Sequence, residues 1–160
     1  MPNWCEGVLK IRGKQKDIIK FIEEKFVLYN YANQTMENIK YIDDGKYMTL
    51  PDERFIEKEL WVKDSRKMFV ELTWDFEYLD NYDMEERITL CCNCRQGWGI
   101  DTEDLANMSL QYNLAFKIYA FERGGEFNQD IEVNQGKIIK DEAIKYKDYV
   151  WECINPTIGG

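Results

Sequence analysis

The chain has 160 residues, a formal net charge of −9 and no histidine. Its 44% apolar and 14% aromatic content is that of one folded domain, large enough to bury a core without a disulfide or metal. The lack of histidine excludes Ser-His-Asp and Cys-His nucleophilic machinery and every histidine-containing metal site, and no apolar run approaches the roughly 18 residues of a membrane span.

Trp4–Arg12 alternates, with Cys5, Gly7, Leu9 and Ile11 on one side, and Gly13 closes this first strand. Lys14–Phe26 follows as a helix, its apolar stripe built from Ile18, Ile19, Phe21, Ile22 and Phe26, with Lys20 and Glu24 one turn apart on the solvent side. Ile39–Ile42 and Lys46–Leu50 flank Asp43-Asp44-Gly45 as a small hairpin, because Asp-Gly suits a type I′ turn. Leu60–Val62 reads as a strand running into the turn Lys63–Lys67. The whole of Val27–Lys67 reads as an insertion.

Val70–Tyr78 alternates next, with Val70, Leu72, Trp74, Phe76 and Tyr78 on one face and Glu71, Thr73, Asp75 and Glu77 on the other. The polar run Leu79–Glu86 interrupts the pattern and Arg87–Cys94 resumes it through Ile88, Leu90, Cys92 and Cys94, which predicts an antiparallel pair. Asp101 is a good N-cap, with Asp104 in the place of a capping-box acid, for a helix carrying Leu105, Met108 and Tyr112 to about Asn113. Strands are expected at Leu114–Ala120, at Phe127–Val133 with Phe127, Ile131 and Val133 inward, briefly at Lys137–Lys140, and finally at Tyr149–Cys153 after the charged run Asp141–Asp148. Without the insertion and the tail, the order strand, helix, strand, strand, helix, strand predicts one α+β domain. Its expected architecture is the ferredoxin-like split βαβ, two helices on one face of an antiparallel sheet.

The opening Met1-Pro2-Asn3-Trp4-Cys5, followed by Leu9-x-Ile11-x-Gly13 and an amphipathic helix, resembles the YubB-like domain of phage and plasmid proteins. The resemblance rests on the first strand and its turn, about a tenth of the chain, and loosely on the aromatic, glycine-containing hairpin Tyr119–Phe127. The family's mid-chain Trp-Gly-Thr-Lys-Trp motif has no counterpart beyond Trp74-Asp75. The resemblance implies a ferredoxin-like fold and a mobile-element origin. That family has no defined biochemical function, so it carries no catalytic residues over.

Between Glu71 and Glu86 stand seven acidic residues and no Lys or Arg. Carboxylates at alternate strand positions lie roughly 6.7 Å apart, about half the linear charge density of one DNA strand with its ~3.4 Å repeat. Such a row resembles a nucleic-acid backbone; the plainer reading is the solvated face of a half-exposed sheet. The candidate partner-binding residues are Glu71, Asp75, Glu77, Tyr78, Asp80, Tyr82, Asp83, Glu85, Glu86 and Trp98. Trp98, between two glycines, either anchors a partner or, as most such tryptophans do, closes the strand–helix corner.

Five cysteines argue against a fully paired disulfide framework, and Met1–Glu6 lacks a secretory signal, so a reduced bacterial cytoplasm is expected. Cys91-Cys92-x-Cys94 lacks the Cys-x-x-Cys turn of a zinc knuckle, and Cys5, Cys92 and Cys94 fall on inward strand faces, where thiols act as small hydrophobes. No phosphate-binding glycine loop or cofactor motif is present. The leading expectation is a non-enzymatic acidic protein-binding module from a phage or other mobile element, without a cofactor or a membrane. Its partner would be a protein with a basic surface, such as a host nucleic-acid-handling defence enzyme of the CRISPR-effector kind. The negative field disfavours direct nucleic-acid binding. Two other classes stay open: a cysteine-dependent metal-binding or enzymatic module, and a nucleic-acid-binding ferredoxin-like domain using outward Trp4, Tyr119 and Phe121.

Overall fold

The computed structural model describes residues 2–30, 35–42, 47–49, 60–71, 79 and 83–160. A nine-stranded antiparallel sheet dominates the described residues, in the order β11-β10-β9-β1-β8-β7-β6-β2-β3, beside a separate two-stranded ladder β4-β5. The strands are β1 Trp4–Lys14, β2 Phe26–Asn30, β3 Thr35–Asn38, β4 Lys40–Ile42, β5 Tyr47–Thr49, β6 Leu60–Val62, β7 Met68–Glu71, β8 Arg87–Gly97, β9 Ala115–Glu122, β10 Phe127–Asn134 and β11 Lys137–Lys145. Among the described residues three short helices accompany them: α1 Gln15–Lys25, α2 Thr102–Tyr112 and α3 Tyr149–Glu152.

Strand β1 lies in the interior of the sheet, between β9 and β8. It pairs with β8 from Trp4↔Gly97 to Lys14↔Arg87, and with β9 from Glu6↔Phe121 to Arg12↔Ala115. Its alternation sends Cys5, Leu9 and Ile11 into the main core, where they meet Leu90, Cys92 and Cys94 of β8 and Phe116 and Ile118 of β9. Gly7 shares that inward side. A Cβ there would stand 2.3 Å from the Tyr119 carbonyl oxygen, so the close approach of β9 requires glycine.

Helix α1 starts without a side-chain cap. The turn before β8 takes that place, its Glu86 and Met84 carbonyls accepting from the Gln15 and Lys16 amides at 2.9 and 3.1 Å. The apolar stripe buries Ile18, Ile19, Phe21 and Ile22, and the Phe21 ring touches those of Phe26, Tyr112 and Phe116 at centroid distances of 5.2–5.4 Å. Helix α2 is capped as its sequence predicts, Asp101 Oδ1 accepting from the Asp104 amide at 3.2 Å, and it ends on Asn113 in the left-handed region at φ 55°.

The expected ferredoxin-like α+β fold is overturned. The molecule is mostly one broad antiparallel sheet, its helices short and few among the described residues. Residues read as an insertion supply β2, β3 and β6 to the main sheet, and the C-terminal part adds β10 and β11 at its other end. Two local expectations also fail. The short strand at Lys137–Lys140 continues through the charged run to Lys145, paired along β10. The tail Tyr149–Cys153 is a helical turn, because Asp148 caps it by accepting from the Trp151 amide and the i, i+4 pair Tyr149 and Cys153 buries one side. The strands flanking Asp43-Asp44-Gly45 do pair as an antiparallel ladder, Lys40↔Thr49 to Ile42↔Tyr47, while the expected turn itself lies outside the described residues.

The reverse side of β9 and β10 carries a second, smaller core of Phe121, Tyr149 and Cys153, edged by Tyr119, Tyr146 and Ile158. Buried Asn128 ties it together: its Nδ2 donates to the Tyr146 hydroxyl at 3.0 Å and its Oδ1 accepts from the Tyr149 hydroxyl at 3.4 Å. Among the described residues no helix is long and apolar enough to cross a membrane.

Candidate functional site

The acidic row does not form one surface among the described residues. Glu71, exposed at the end of β7, faces away from α1 and α2, since its neighbours Met68 and Val70 are the buried ones, and it accepts from Asn93 Nδ2 at 3.1 Å. Asp83, Glu85 and Glu86 lie in the turn entering β8, against the start of α1. With Glu71 opposite Asn93 and β8 beginning at Arg87, six residues of strand, roughly 20 Å, separate the two groups. Asp75, Glu77, Tyr78, Asp80 and Tyr82 fall outside the described residues, as does the expected strand beyond Glu71.

The charge of Glu85 is already answered within the chain. Lys14 Nζ donates to its Oε2 at 2.6 Å and Lys16 Nζ donates to its Oε1, which pulls the carboxyl from its ordinary 4.5 down to about 2. A carboxylate so matched offers less to a basic partner than the bare sequence suggests.

Trp98 is not corner filling. It is 56% exposed, takes a left-handed backbone at φ 61°, and has Lys67 Nζ over its ring at 5.0 Å. Its amide donates to the Asn3 carbonyl at 2.7 Å, so the tryptophan is fixed at the surface. Cys5, Cys92 and Cys94 are buried on the inward faces read from the sequence. Burial, chiefly, pushes the Cys5 and Cys94 thiols up to about 12 and raises Cys92 as well, which removes nucleophilic thiolate from these positions. Among the described residues no group of three or more Cys, Asp or Glu side chains is arranged to hold a metal ion.

Two exposed features stand out that residue patterns alone did not reveal. The first is on α3. With Tyr149 and Cys153 turned into the small core, Val150, Trp151 and Ile154 project outward, and Trp151 is 87% exposed. Its signal in the sequence is Asp148 in an N-cap position with Tyr149 and Cys153 four apart, a spacing that a strand over Tyr149–Cys153 does not use. The second is the outer side of β1, β7 and β8. Trp4 and Phe69 meet edge to face at 5.8 Å, and the Arg95 guanidinium lies over Trp4 at 4.4 Å and 5.7 Å from the centre of Phe69. This stack separates a 430 Å³ groove bordered by Glu6, Glu71 and Tyr119 from a 670 Å³ cleft reaching Trp61, Arg66 and Lys67. These residues lie far apart in sequence, and only the sheet order assembles them. Comparison with known proteins finds no matching family, no curated relative and no solved structure that matches.

Proposed function

We propose that this chain is a non-catalytic protein-binding module of a phage or other mobile element, acting in the bacterial cytoplasm on a host nucleic-acid-handling enzyme such as a CRISPR effector. The observation that carries the reading is the apolar knob Val150, Trp151 and Ile154. A large apolar side chain 87% open to water, on a turn fixed by its cap and its buried side, is the form of an interface anchor. The net charge of −9 supplies the second half, because it steers the knob toward partners with basic surfaces, which such enzymes use to hold nucleic acid.

The test is a cleavage assay against a panel of host nucleases and CRISPR effectors. At least one member is expected to be inhibited, and Trp151→Ala is expected to weaken that inhibition by at least about tenfold, ~1.4 kcal/mol or more at an anchor position. Asp75→Asn/Glu77→Gln/Asp80→Asn, tested separately, is expected to slow association and reduce its salt dependence. A panel in which no enzyme is inhibited overturns the proposal.

A further inference from the structure

The cleft on the outer side of β1, β6 and β7 has a lining that the acidic surface does not explain. At 670 Å³ it falls in the size range of small-molecule pockets, about 300–1,000 Å³. Its described walls combine three aromatic rings, Trp4, Trp61 and Phe69, with three cations, Arg66, Lys67 and Arg95, and no carboxylate is among the described residues that line it. In a chain with thirty acidic residues against twenty-one basic ones, such a local cluster of cations runs against the composition.

The cations are held in place. Arg66 Nη2 donates to the Gly99 carbonyl at 3.2 Å, with its Nε 3.7 Å from Asp101; Lys67 is drawn over Trp98; Arg95 is stacked on Trp4. The Arg66 carbonyl is fixed in turn by buried Gln96, whose Nε2 donates to it at 2.7 Å. Side chains already ordered lose little freedom when an anion arrives. Arginine suits phosphate, and flat aromatic walls suit a nucleobase.

We infer that this cleft binds a mononucleotide, the base packed against Trp61 and Trp4 and the phosphate met by Lys67 and Arg95. The long-range field of a −9 chain opposes a long polyanion, so a single nucleotide is favoured over a strand. The site is separate from the α3 knob, and the inference stands or falls without the protein-binding reading.

Calorimetric and NMR titrations of the full chain with ATP, AMP, adenosine, inorganic phosphate and a twelve-base oligothymidine test it. AMP or ATP is expected to bind with a Kd at or below about 1 mM, a binding free energy of about −4 kcal/mol or more favourable. Adenosine and phosphate are each expected to bind at least about tenfold more weakly, having only half of the recognised chemistry. Lys67→Gln, at an exposed position that spares the core, is expected to weaken nucleotide binding several-fold, and Trp61→Leu more so, while Trp151→Ala leaves it unchanged. No saturation by either nucleotide, the same affinity in Lys67→Gln and Trp61→Leu, or an oligonucleotide that binds more tightly than the mononucleotides overturns the inference.

Discussion

Glu85 shows how a single side chain changes meaning between sequence and structure. In the sequence it belongs to an uninterrupted acidic run, whereas in the fold Lys14 and Lys16, 71 and 69 positions away, bracket it. No local pattern reports a pairing of that span. Its folded carboxyl titrates near 2 against an ordinary 4.5, so its contribution to stability is complete above about 4.5 and is lost as the pH falls toward 2. A carboxyl-carbon NMR titration is expected to place Glu85 below the ordinary glutamate range, and Lys16→Ala to move it back up. The cysteines, by contrast, were legible from alternation alone, since period two decides which thiols face the core. With Cys5, Cys92 and Cys94 buried and their thiols shifted upward, iodoacetamide in mildly alkaline buffer is expected to leave all three unmodified until the protein unfolds, as mass spectrometry of native and denatured samples will show.

At the scale of elements, β1, α1, β8, α2, β9 and β10 follow from periodicity because each buries one regular face. The failures occur where that signal ends. Strand β11 lies on the edge of the sheet with both sides largely solvated, so its charged residues carry no alternation to read, and the tail is decided by one cap and one i, i+4 pair. Gly7→Ala places a methyl group against the backbone of β9 and is expected to destabilise the protein by ~2–3 kcal/mol in urea unfolding, since the opposing atoms are main chain and cannot swing away. Asp101→Ala removes the cap of α2 and is expected to cost about 1 kcal/mol by the same measurement. Gln96→Leu is expected to cost more, because its fully buried amide serves both the Arg66 carbonyl and the Asp101 amide, and leucine leaves both without it.

For the whole molecule, alternation names strands without naming their neighbours. A chain of short periodic segments is compatible with many sheet orders, and the ferredoxin-like expectation fails because residues 27–67 are no detour: β2, β3 and β6 widen the sheet. The candidate sites share that origin, since Trp4, Trp61, Phe69 and Arg95 converge only after four strands are set side by side. The place of β1 has a further consequence for synthesis. The strand leaves the ribosome before both of its flanking partners, which end about a hundred residues later. At about 5–20 residues per second, it spends roughly 5–20 s as a sticky, unsatisfied ribbon. During that interval a nascent-chain chaperone is its natural companion, and a host short of such helpers should accumulate this protein as inclusions while its finished copies remain sound.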